Sequence, residues 1–169
     1  MAVTMHQAAL PPLQRSLGQL IQILHKGQAH ADSQGFDAAV LVGSRLYPDM
    51  FPLARQVQIA TDIARRGVAR LAGGEAPAME DNETTLAELI QRVEHSLDYL
   101  ATITPDQLEA AETREVTVPI GRGETITMQG WPFLSAFVLP NVYFHVTTAY
   151  DILRHNGVPV GKRDFLGEV

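Results

Sequence analysis

The chain contains no cysteine. That removes disulfides, thiolate metal sites, iron–sulfur ligation and a cysteine nucleophile from consideration. Positive charge is scarce, with 13 Lys plus Arg against 19 Asp plus Glu and a formal charge of -6. Binding to a nucleic-acid backbone needs a dense cationic footprint, so no nucleic acid is expected as a partner. No uninterrupted apolar run is long enough to cross a bilayer, and "MAVTMHQAALPPLQRS" lacks the basic and apolar regions of a secretory signal. These absences make the cytoplasm the expected compartment and leave no role for a membrane.

What is present suits one domain spanning 1–169, since 169 residues with 46% hydrophobic content can bury a single sizeable core. Leu13, Leu17, Leu20, Ile21 and Leu24 recur at helical spacing and predict a first helix ending near His30. Pro11 and Pro12 fit its first turn, or a kink if it begins near Thr4. Leu53, Val57, Ala60, Ala64, Val68 and Leu71 share a face of a second helix from about Met50 to Ala72, which Gly73 and Gly74 stop. The strongest stripe, Leu86, Leu89, Ile90, Val93, Leu97 and Leu100, predicts a third helix over Thr84 to Ala101.

"TPDQLEAA" has the form of a capped short helix, with Thr104 at the N-cap and Gln107 completing a capping box. The period then changes. Val116, Val118 and Ile120, then Ile126 and Met128, alternate with threonines around "GRGE" and predict a β-hairpin. Two strands alone are marginal in water, so the hairpin must lie on the helical body. Pro140 divides the next apolar stretch, predicting a fourth helix from about Pro140 to His155. "VGKRDFLGEV" is expected as an extended lid. The expected fold is therefore all-α, a four-helix bundle with a small β-hairpin before the last helix.

Chemistry-bearing residues concentrate on the last helix. At about 100° per residue, Val142, Val146, Ala149 and Leu153 define its buried centre, with His145 on one shoulder and Tyr143 and Tyr150 on the other. His145 is either a core-edge histidine satisfied by a neighbour or a functional group. His155 lies about 15 Å further along the axis, too far to share an ion with His145 given metal–nitrogen bonds near 2 Å. Asp49 reads as the N-cap of the second helix, or as an acid–base partner of His145 if the two helices meet there. His6, His25, His30 and His95 are expected to be solvated, and Lys162 and Arg163 to be solvated or paired locally, for example with helix C-terminal carbonyls, or else to meet an anionic ligand. "GRGE" lacks a phosphate loop's GK[ST] step, and "GSR" lacks nucleophile-elbow spacing. Phe144 points away from the core, which calls for a cover supplied by the tail or by a second subunit.

"LYPDMFPLARQVQIATDIARRGVARLAG" and "LPNVYFHVTTAYDILRHNGVPVGKRDFLG" together resemble an uncharacterised bacterial domain-of-unknown-function family within the DinB/YfiT-like superfamily, over essentially the whole chain. The resemblance implies a DinB-type four-helix bundle, a long connection between the second and third or third and fourth helices, and usually a homodimer. It also implies the chemistry of relatives such as metal-dependent thiol transferases, whose metal is held by a histidine on the second helix and an HxxxH pair on the last. Only His145 matches that set here. Ala149 stands four residues on, and the second helix has no histidine.

Two functions follow. The leading expectation is a dimeric binding or structural bundle without metal or other cofactor, with a small-molecule pocket lined by Tyr47, Asp49, Gln56, His145 and Tyr150. The rival is a metal-dependent transferase or hydrolase with a reduced site of His145, Asp49 and perhaps Asp62.

Overall fold

The computed structural model describes residues 3–121 and 123–167. Helices α1 (Met5–Gln34), α2 (Ala39–Gly43), α3 (Leu53–Leu71) and α4 (Leu86–Ala101) lead through two 3₁₀ turns, Pro105–Leu108 and Ala111–Thr113, into strands β1 (Glu115–Gly121) and β2 (Glu124–Gln129). A helical turn α5 (Gly130–Pro132), a π-helical segment Phe133–Val138, α6 (Leu139–His155) and α7 (Lys162–Leu166) complete the described chain. The long helices α1, α3, α4 and α6 form the four-helix bundle, with α3 packed between α4 and α6 and α1 touching the same two from the other side. The apolar stripes fill its core: Leu13, Leu17, Leu20, Val57, Ala64, Leu89, Val93, Val142 and Val146 are all fully buried.

Side-chain capping sets the starts of α1 and α4. Thr4 caps α1 and Gln7 reaches back to it, so the helix starts early and holds Pro11 and Pro12 in its interior. At its far end α1 continues past His30 to Gln34, where Gly35 closes it. Thr85 and Glu88 form the capping box of α4. Gly73, at φ +81°, ends α3 as expected and donates its N–H to the Arg70 carbonyl.

Asp49 is not the cap of α3. Pro52 occupies that position without a side-chain cap, and the Leu53 N–H is satisfied instead by the Ser44 carbonyl at 2.9 Å. The helix therefore starts at Leu53 rather than Met50, and Asp49 sits on the exposed turn before it.

The hairpin pairs antiparallel with Thr117 opposite Thr127 and Val118 opposite Ile126. Val116 and Val118 bury against the bundle, while Ile120 and Ile126 stay exposed, so only one end rests on the body. Arg122, in the "GRGE" turn, lies outside the described residues. The hairpin belongs to the long connection between the third and fourth bundle helices. Its return into helix is tight: a Cβ on Gly130 would lie 1.8 Å from the Ala111 carbonyl oxygen.

Pro140 does not divide the last helix. In the π segment the Leu139 N–H bonds back five residues to Leu134, and Asn141 Nδ2 donates to the Phe137 carbonyl at 2.7 Å. The wider turn accommodates proline's missing N–H, and the chain enters α6 without a break. The tail is also more helical than its sequence suggests. Asp164 accepts from the Gly161 N–H and binds Lys26 Nζ at 2.6 Å, which winds α7 against α1. Glu168 and Val169, the last of the expected lid, lie outside the described residues.

A buried charge network fixes the α3–α4 connection. Arg92 is 2% exposed. Its Nε donates to Thr61 Oγ1 at 2.9 Å, and its terminal nitrogens reach Glu83 at 2.8 Å, Asp62 at 3.0 Å, Asp81 at 3.0 Å and the Glu80 carbonyl at 2.8 Å. Arg65 joins the same Asp62 oxygen at 2.8 Å and the Pro77 carbonyl at 2.7 Å. Removing Arg92 takes the shared cation from Asp62, Asp81 and Glu83 and leaves the Glu80 carbonyl without its donor. Arg92→Ala is expected to cost about 3–5 kcal/mol, read as a lower urea midpoint. A loss below about 1 kcal/mol, the scale of an exposed ion pair, would show that the network carries little stability.

Candidate functional site

The packing of α3 on α6 brings Gln56 to His145. Gln56 is 2% exposed. Its Nε2 donates to the Phe51 carbonyl at 3.1 Å, and its Oε1 lies 2.7 Å from His145 Nδ1. A carbonyl accepts only from the amide nitrogen, so Oε1 must be the end facing the imidazole. His145 therefore carries its proton on Nδ1 and presents a bare lone pair at Nε2. Burial first, and the nearby Arg55 charge second, push its pKa below the ordinary value. The ring is thus a neutral hydrogen-bond acceptor or weak base, flanked edge-on by Phe144 with centroids 5.2 Å apart.

The other expected site residues lie further out. Tyr47 is 65% exposed, and Asp49 is exposed with no hydrogen bond or ion pair to His145 among the described residues. Tyr150, about 140° around α6 from His145, turns instead to the tail and meets Phe165 edge-on at 6.5 Å. Asp62 is engaged on both oxygens, with Arg65 and Arg92 on one and Arg66 at 3.0 Å on the other. Among the described residues no group of three His, Asp or Glu side chains converges in a metal-holding arrangement.

Of the remaining histidines, His25, His95 and His155 are exposed. His6 and His30 are half-buried, unlike their expected solvated state: His6 Nε2 lies 3.3 Å from the Ile103 carbonyl oxygen, and His30 packs edge-on against Phe36. Sequence reading missed the Arg65–Arg92 network. Its signal was present, since Arg92 shares helical spacing with Leu89, Ser96 and Leu100, placing a cation on a buried face.

Comparison with known proteins agrees with this architecture. Residues 5–166 match the model of the family described as Domain of unknown function (DUF1993). The fold is similar to the crystal structure of a DinB family member protein from Shewanella denitrificans, with TM-score 0.90 and 43% identity over 97% of this chain and 92% of that one. No curated protein matches the chain. No helix among the described residues is long and apolar enough to cross a membrane.

The Gln56–His145 bond fixes a sign for pH dependence. The unfolded chain takes up the proton near pH 6.5 while the folded chain resists it. Stability is accordingly full above about 6.5 and falls as the pH drops toward the lowered folded pKa. His145→Asn should remove that part of the slope, measured by urea denaturation across the pH range. Nitrogen-15 spectra should show Nδ1 protonated and Nε2 bare, and the opposite tautomer would contradict the assigned bond.

Proposed function

Because the chain belongs to the DUF1993 family and shares the fold of a DinB family member, we propose that it is a dimeric bundle that binds a small molecule through His145 without a catalytic metal. The observation that carries this reading is the Gln56 carboxamide locked between Phe51 and His145. On the second long helix, where the superfamily resemblance implies a histidine, the residue facing His145 is a neutral glutamine. Four residues beyond His145 stands fully buried Ala149. One imidazole remains of the three, and its free Nε2 suits a hydroxyl or amide donor on a ligand rimmed by Tyr47 and Asp49, with Tyr150 on the opposite shoulder of α6.

The dimer has its own support. Phe144 is 59% exposed and Phe51 55% exposed. The tail packs on the Tyr150 side of α6 and leaves Phe144 uncovered. A second copy laid over these rings would remove them from water and enclose His145.

Light scattering at micromolar concentration should give twice the 18.5 kDa chain mass, and Phe144→Asp should shift it toward one. A wild-type monomer would sink the dimer. Protein purified without chelators or a polyhistidine tag should carry substoichiometric metal, unchanged by His145→Ala. Stoichiometric metal lost in that variant would overturn the metal-free reading.

A further inference from the structure

The outer face of α3 carries a second site, independent of His145. Arg55, Ile59, Ile63, Arg66 and Arg70 recur along one stripe of that helix and border a cleft of about 300 Å³. Its opposite wall is built by the stacked pair Phe133 and Phe137, with centroids 5.6 Å apart, and by Val118 of the hairpin. The walls stand close because α3 has glycine at position 67, where a Cβ would come within 2.8 Å of Val138.

The arginines in this cleft are not equivalent. Arg55 is held by Asp81, and Arg66 by Asp62 at 3.0 Å. Asp62, which also borders the cleft, is shared with Arg65 and Arg92 and makes no ion pair with Arg70 among the described residues. Arg70 is half-buried and has no ion pair or side-chain hydrogen bond among the described residues. Glu75 borders an adjoining cleft with Arg66 and Arg70 but forms no ion pair with either. A half-buried guanidinium with no carboxylate partner among the described residues, set beside aromatic and aliphatic walls, is open to an anion.

We propose that this cleft binds an organic monocarboxylate with an apolar body, its carboxylate on Arg70 and its chain against Ile63, Phe133 and Phe137. Arg70 is the cleft arginine with no carboxylate partner among the described residues, and its guanidinium fork matches one carboxylate in bidentate geometry. The volume lies at the lower end of small-ligand pockets, which run from about 300 to 1,000 Å³. A medium-length chain or a single aryl ring therefore fits better than a larger lipid.

Octanoate and octan-1-ol, matched in their apolar chains, separate the contributions in calorimetric titrations of the full chain. Octanoate is expected to bind at least tenfold tighter than octanol, with backbone amide shifts concentrated at Gly67, Arg70 and Val118. Arg70→Gln should abolish that preference, Arg70→Lys should retain only part of it, and Phe137→Ala should weaken both ligands together. Each variant's thermal transition reports whether it folds, and the Lys variant keeps the test valid if the Gln variant does not. Equal affinity for the two ligands, a preference that survives Arg70→Gln, or shifts gathered instead around Tyr143 and Phe165 would overturn the assignment.

Discussion

The burial of Arg92 constrains much of the rest of the structure. A guanidinium withdrawn from water is tolerable only with its N–H groups paired and its charge balanced. Thr61 and Asp62 come from α3, and Glu80, Asp81 and Glu83 come from the connection to α4. Satisfying one side chain thus ties two helices and a polar linker into one arrangement. The tie extends outward through Gln58, which donates to Glu83, and through Arg55, which pairs with Asp81. Arg65 is the less complete partner. Its Nε has no acceptor among the described residues, and burial pushes its pKa down against the opposing pull of Asp62.

With the linker held on one flank, α3 serves three environments at once. Leu53, Val57, Ala60, Ala64 and Val68 enter the core, Thr61, Asp62 and Arg65 face the network, and Ile59, Ile63, Arg66 and Arg70 line the outer cleft. Gln56 lies at the first of these boundaries, buried yet polar, which is why it needs both Phe51 and His145. Small residues allow the close approach to α6: Ala60, Ala64 and Ala149 are fully buried, and Gly67 leaves room for Val138. Larger residues would separate the helices and lengthen the 2.7 Å Gln56–His145 contact.

The bundle was legible in the sequence because helical stripes report burial directly, and every residue assigned to the inner face of α3 is fully buried. The hairpin was legible from its change of period. The errors arose where tertiary partners replaced local ones. Asp49 has the chemistry of an N-cap, but the Ser44 carbonyl reaches the end of α3 first. Pro140 has the chemistry of a breaker, but a π turn accommodates it. Helical angles placed His145 at the core edge and the expected pocket already held Gln56, but nothing local singled out Gln56 over Asp49 as its partner, because that contact joins residues far apart in the chain. The Arg92 network depends on a linker whose path no periodicity describes.

Arg55 borders the cleft and acts on His145 through its charge, which raises the question whether the two sites communicate. Its charge contributes to the lowered pKa of His145, but burial is the larger cause. Arg55 is also already paired with Asp81. Arg70 lies about 22 Å from Arg55 along the helix at 1.5 Å per residue, well beyond the screening length of about 8 Å at physiological ionic strength. An anion on Arg70 therefore leaves the field at His145 nearly unchanged. Between the two sites the backbone of α3 is one unbroken helix, Leu53–Leu71. Gln56, which meets His145 of α6, and the arginines of the cleft are thus carried by one helix, related by its fold rather than by its electrostatics.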